Sequence, residues 1–150
     1  MKKLIFYFVI IFILVQFIPV NLPETSKNNP DDLITTAHVP PDVAKILKTS
    51  CYDCHSNETV YPWYSHVVPI SFLVKRDIEE GKEELNFSEW NKLKKSKKAK
   101  KLDEISEEIS EDEMPMKIYT IIHRDAVLSE KQKEKLINWA ENYAESLFSE

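Results

Sequence analysis

The chain has 150 residues, enough for one modest domain, and its 20 basic and 25 acidic residues leave a net charge of −5. That balance argues against a dedicated nucleic-acid binder, which needs a basic surface, and 43% hydrophobic with 11% aromatic residues argues against a disordered chain. One glycine, Gly81, among many Lys, Glu, Leu and Ile residues points to an all-α fold.

Lys2 and Lys3 precede Leu4–Val20, a run of 17 residues in which Gln16 is the one polar side chain. The run is near the lower length limit for a membrane-crossing helix, and the two lysines predict a cytoplasmic N-terminus. No small-residue cleavage site follows, so residues 1–20 are expected to remain as a single-pass signal anchor, with the rest of the chain outside the cytoplasm. Residues 21–39 are polar, with Pro23 and Pro30, and read as a linker. The domain is expected over 40–150.

Val43, Ile46 and Leu47 predict a helix over Pro41–Ser50 that runs directly into Cys51. Residues 56–69 hold Pro62 and Pro69 and read as a loop. A helix is expected over Ile70–Glu80, ended by Gly81. A longer one is expected from Ser88, with sparse apolar positions at Trp90, Leu93, Leu102, Ile105 and Ile109 and a lysine-rich start that reads as a solvated face or a docking surface for an acidic redox partner. Pro115 breaks it. A short helix over Tyr119–His123 precedes a last one, where Ser129 and Gln132 form a capping box and Leu136, Ile137, Ala140, Tyr143, Ala144 and Leu147 recur at three and four. No internal repeat or strand alternation is evident.

The chemistry lies in Cys51-Tyr52-Asp53-Cys54-His55. Two thiols three residues apart on a helical turn can each add to one of a haem's two vinyl groups, and the next residue places an imidazole under the iron. A disulfide at that spacing closes almost no loop. A thioredoxin-like redox pair would follow a strand, and a zinc site would need a second ligand pair, and the sequence offers neither. On the other side of the iron the candidates are Met114, Met116 and His123. Met114, stiffened by Pro115, is preferred, with Met116 as the alternative. A thioether there favours the ferrous state. His38, His66 and His123 read as surface or outer residues. Trp63, Tyr64 and Tyr119 are candidates to wall the haem pocket, and Trp90 and Trp139 read mainly as core.

Cys51–Asn57, Thr59, Tyr61-Pro62-Trp63-Tyr64, Glu80-Gly81-Lys82, Leu85–Ser88, Glu113-Met114-Pro115, Tyr119 with His123, and Leu128-Ser129 leading to Trp139 together resemble the small haem-binding domain family of bacterial exported proteins. The resemblance spans roughly 40–145. It implies a helical, cytochrome-c-like domain with one covalent haem c, and puts Met114 in the place of the family's Met-Pro methionine. The expectation is an all-α, cytochrome-c-like domain behind an N-terminal transmembrane anchor. It would carry electrons outside the cytoplasm between redox partner proteins after loading by haem-attachment machinery, as a carrier and not an enzyme. A haem-based sensor or gas binder with a displaceable distal ligand is the other reading.

Overall fold

The computed structural model describes residues 1–149. Helices α1 (Lys2–Val15), α2 (Leu33–Thr36), α3 (Pro41–Ser50), α4 (Tyr52–His55), α5 (Ile70–Glu84), α6 (Lys95–Ser110), α7 (Lys117–Ile122) and α8 (Glu130–Ser146) are joined by 3₁₀ turns at Trp63–His66, Phe87–Lys92 and Arg124–Ala126. No strand occurs among the described residues. The all-α reading holds.

The centre of the fold is α6 packed along α8, with α3 against both α4 and α8. Val43, Ile46, Leu47 and Ser50 form the buried stripe of α3 at the predicted helical spacing. Leu102 and Ile109 of α6 join Leu136 and Ala140 of α8 in the same core. Trp90 is fully buried there and its Nε1 donates to the Tyr143 hydroxyl at 3.1 Å. The capping box at Ser129 and Gln132 is present at the start of α8. The helix expected from Ser88 is two pieces. The 3₁₀ turn at Phe87–Lys92 buries Trp90, the chain extends through Leu93 and Lys94, and α6 then begins. One continuous helix would not set Trp90 and Leu102 into the same core.

The stretch read as a linker carries part of the core. Leu33 of α2 is fully buried and Asp32 is nearly so. The Asp32 carboxylate caps α2 by accepting from the Ile34 amide at 2.9 Å, and it accepts from the Tyr52 hydroxyl at 2.9 Å. Packing therefore begins near Asp31, ahead of Pro40.

At the N-terminus, α1 has 14 residues, none buried. That is about 21 Å of helix, against the ~30 Å of a bilayer core. No helix among the described residues is long and apolar enough to cross a membrane. Beyond Val15 the amides of Gln16, Phe17 and Ile18 bond three residues back, tightening to a 3₁₀ turn, and Pro19 turns Ile18 away from helix. Gln16, the one polar side chain of the apolar run, ties this end to the domain. Its Nε2 donates to the Val68 carbonyl at 3.0 Å and its Oε1 accepts from the Val68 amide at 3.0 Å.

Candidate functional site

The end of α3 and the single turn of α4 present Cys51, Cys54 and His55 together. The Cys51 carbonyl accepts from the Cys54 amide at 3.2 Å and the His55 amide at 2.9 Å, which closes the turn. The two intervening residues point elsewhere and hold it. Tyr52 is buried, stacks on Phe87 with ring centres 5.2 Å apart, and bonds Asp32. The Asp53 carboxylate accepts from the Val60 amide at 3.0 Å and the Tyr119 hydroxyl at 2.8 Å. Behind the motif, Ser56 Oγ donates to the Tyr52 carbonyl at 2.7 Å, and the Asn57 amide donates to Ser88 Oγ at 3.0 Å. The Ser-Asn and Asn-Phe-Ser segments flanking the site are thus stitched to one another.

His55 Nδ1 lies 2.9 Å from the Gly81 carbonyl and 3.1 Å from the Leu85 carbonyl, both at the end of α5. Carbonyls only accept, so Nδ1 carries the proton and the neutral ring has a bare Nε2. Burial holds the imidazole below its ordinary pKa, against the opposing pull of the Leu85 and Gly81 carbonyls, so the neutral form prevails. A neutral imidazole, oriented through one nitrogen with the other nitrogen free, is a prepared metal ligand.

Gly81 does not end α5, which continues to Glu84. A Cβ at Gly81 would sit 2.9 Å from the Cys54 carbonyl oxygen and 3.2 Å from Cys54 Cβ. The single glycine lets α5 come against the cysteine turn. Gly81→Ala normally stabilises a helix by about 1 kcal/mol, but here the methyl meets backbone, and overpacking of about 1–3 kcal/mol dominates. The variant is expected to melt lower than the parent and to carry less haem. A higher melting temperature would refute the close approach.

Cys51 and His55 line a cavity of about 320 Å³ together with Met114 and Pro115. Its apolar walls include Leu47, Phe87, Ile109 and Leu128, which also belong to the core. A contiguous hollow of about 200 Å³ shares Cys51, His55, Met114 and Pro115 and adds Cys54, Gly81, Met116 and Tyr119. Met114 is delivered by the end of α6. Asp112 adopts a left-handed φ of 59° and the amides of Glu113 and Met114 both donate to the Glu108 carbonyl, at 3.0 and 3.2 Å. Met114 lines both hollows beside His55, whereas Met116 lines the smaller one only.

The aromatic expectations divide. Trp63 is 79% exposed and lines neither hollow, so its expected contact there is corrected: the 3₁₀ turn at Trp63–His66 aims it at solvent. Tyr119 lines the smaller hollow, and burial, then Asp53, push its hydroxyl pKa up. Tyr64 lies beyond Cys54, its hydroxyl 2.5 Å from His123 Nε2. His38 and His66 are exposed.

Lys101 is the residue that sequence reasoning missed. In the lysine run it reads as solvated, yet its side chain is 8% exposed and lines the larger cavity. Burial pulls its pKa down, but ion pairs to Glu104 at 2.7 Å and Glu84 at 3.1 Å more than restore it, and the ammonium stays charged. Its spacing one residue before Leu102 on the buried face of α6 was the available signal.

The donor set fits an iron porphyrin. Both cysteines are free thiols, and burial, ahead of every other cause, raises Cys51 to about 12 and Cys54 to about 11. So few thiolates at neutral pH disfavour thiol–disulfide chemistry. Among the described residues no group of three or more His, Cys, Asp or Glu could hold a bare metal ion. Two contiguous hollows that together hold two thiols, one bare imidazole nitrogen and one thioether suit a flat, ring-bound iron instead. The sequence model of the family described as the haem-binding domain matches residues 10–142. No curated protein and no solved structure matches the chain.

Proposed function

The chain belongs to the haem-binding domain family, and from that premise we propose that it is a one-electron carrier with a single haem c joined covalently to Cys51 and Cys54. The observation that carries this reading is His55, its Nδ1 fixed by two carbonyls and its Nε2 bare in the cavity that Met114 also lines. His55, through Nε2, and Met114, with Met116 as the alternative, would hold the haem iron. The bound haem supplies reversible one-electron chemistry at its iron, and a thioether ligand raises its potential. The residues of the chain orient and insulate. Gly81 and Leu85 hold the imidazole, Phe87, Ile109 and Leu128 exclude water, and Tyr52 and Asp53 brace the turn. No side chain is asked for acid–base turnover, so the protein is read as a carrier and not as an enzyme.

The apolar run Leu4–Val20 is read as the tie to the cytoplasmic membrane. Lys2 and Lys3 keep the N-terminus inside, and the haem domain lies outside, where attachment machinery and redox partners meet it.

Two measurements test the proposal on the full chain coexpressed with haem-attachment machinery. Alkaline pyridine spectra of the denatured protein are expected to show haem that stays with the chain. The oxidised protein is expected to be low-spin, with a weak near-infrared sulfur-to-iron band. Extractable haem would overturn covalent attachment, and a high-spin spectrum that shifts with carbon monoxide would replace electron transfer with gas binding.

Among the described residues, Lys101 is the one cation lining a cavity that also holds Glu84, Glu104 and Glu108. Its positive charge disfavours the more positive oxidised iron. Lys101→Gln is therefore expected to lower the reduction potential by tens of millivolts at low ionic strength, read by spectroelectrochemistry. An unchanged potential would place the ammonium too far from the iron to act on it.

A further inference from the structure

The Lys101 ammonium is held by two carboxylates of unlike standing. Its side chain is 8% exposed, and its Nζ lies 2.7 Å from Glu104 and 3.1 Å from Glu84. Glu104 sits one turn further along the same helix and is partly shielded. Glu84, at the end of α5, is 75% exposed. Water competes for a carboxylate so open, and the pair is held weakly from that side. Lys101 has no such freedom, because it is buried in α6 beside the fully buried Leu102.

The haem proposed for the two contiguous hollows brings two carboxylates of its own. Its pyrroles run in cyclic order as two that carry vinyl groups and two that carry propionates. One propionate pyrrole therefore adjoins the pyrrole tethered by Cys51 and lies diagonal to the one tethered by Cys54. Lys101 has the matching place: it lines the larger cavity with Cys51, and not the smaller hollow that Cys54 lines. Charge selects in the same direction. Asp53, Asp77 and Glu80 line the smaller hollow, and among the described residues no Lys or Arg does. A propionate left unpaired between those walls would be costly, whereas one that meets the Lys101 ammonium accepts a charge-assisted hydrogen bond.

We propose that Lys101 seats one haem propionate, on the pyrrole next to the one tethered by Cys51, and that this propionate displaces Glu84 from the ammonium. The seat rests on the haem c reading above. Glu104 keeps its contact and Glu84 turns to water. One carboxylate replaces another at Nζ, so loading buries no unpaired charge. Lys101 is thus a positioning residue. It holds the edge of the ring remote from Cys54, while the two thioethers hold the other edge, and the plane is fixed beside His55.

The test uses the full-length holoprotein in detergent, coexpressed with haem-attachment machinery. In the reduced parent, nuclear Overhauser contacts are expected between one propionate methylene and the Lys101 side chain. In Lys101→Gln the resonance Raman bending band of one propionate is expected to shift to lower frequency, while the bands that mark the spin and coordination of the iron stay at parental positions. Lys101→Arg should restore the propionate band, and Glu84→Gln should leave it in place. Attached haem without a contact to Lys101 in the parent, read without any variant, would overturn the seat and leave the haem reading intact. So would a parental propionate band in Lys101→Gln. A band that Glu84→Gln shifts as far as Lys101→Gln does would keep Glu84 on the ammonium and overturn the exchange. The Lys101 contact in a parent whose haem is extractable would uphold the seat and overturn the covalent tether.

Discussion

His55→Ala, coexpressed with haem-attachment machinery, is expected to yield little folded holoprotein, below about a tenth of the parental haem per chain. Three losses coincide in that one substitution. On the proposed reading the imidazole would hold the iron from the same turn that carries the thiols, so its removal would separate attachment from coordination. The Gly81 and Leu85 carbonyls at the end of α5 lose their common donor; the Gly81 carbonyl keeps the Leu85 amide at 2.9 Å, while the Leu85 carbonyl loses the imidazole, at a cost of about 1–3 kcal/mol. The cavity walls Leu47, Phe87, Ile109 and Leu128 are also core residues, so a haem seated there completes the core, and binding is linked to folding. Haem content by absorbance and fold by far-ultraviolet dichroism check the outcome. Parental haem content together with parental stability would dismiss His55 as the ligand. Cys54→Ala serves as the partner experiment, since it removes one tether and leaves the imidazole and its two carbonyl contacts in place.

The grouping of the motif residues on one turn was legible in the sequence because it is written in a few adjacent residues. Cys51, Cys54 and His55 fall on one turn by their spacing alone, and Met114 is set off by Pro115. The α3 stripe and the Ser129 capping box follow from short-range periodicity and capping, and both occur as expected. What was not legible depends on contacts between distant segments. Asp32 looks like a linker residue until Tyr52, 20 positions later, donates to it inside the core. Gly81 has the signature of a helix terminator, and only the backbone of Cys54 reveals that the missing Cβ is what matters. Lys101 is one of many lysines in its run, and its burial follows from the rotation of α6 about its axis, which the 3₁₀ turn before it sets. Gln16 reads as a flaw in an apolar run and proves to be the tie to Val68.

Met114→Ala separates the two readings of the iron's second side. A thioether stabilises the ferrous state, so its loss is expected to lower the reduction potential by on the order of 100 mV or more. The same change opens a coordination position, so the reduced variant is expected to bind carbon monoxide where the parent does not. Stability should fall less than in His55→Ala. Met114 is half-buried, it sits beyond the left-handed turn at Asp112, and the core side chains of α6 and α8 stay in place. Met116→Ala is the control, because Met116 lines the smaller hollow beside Cys54 but not the larger cavity. If Met116→Ala lowers the potential and admits carbon monoxide while Met114→Ala does neither, the ligand is Met116 and the turn at Asp112 serves packing alone. If neither variant changes the potential, no thioether binds the iron. If the parent already binds carbon monoxide rapidly, the position is open by design, and gas binding becomes the function that the cavity serves.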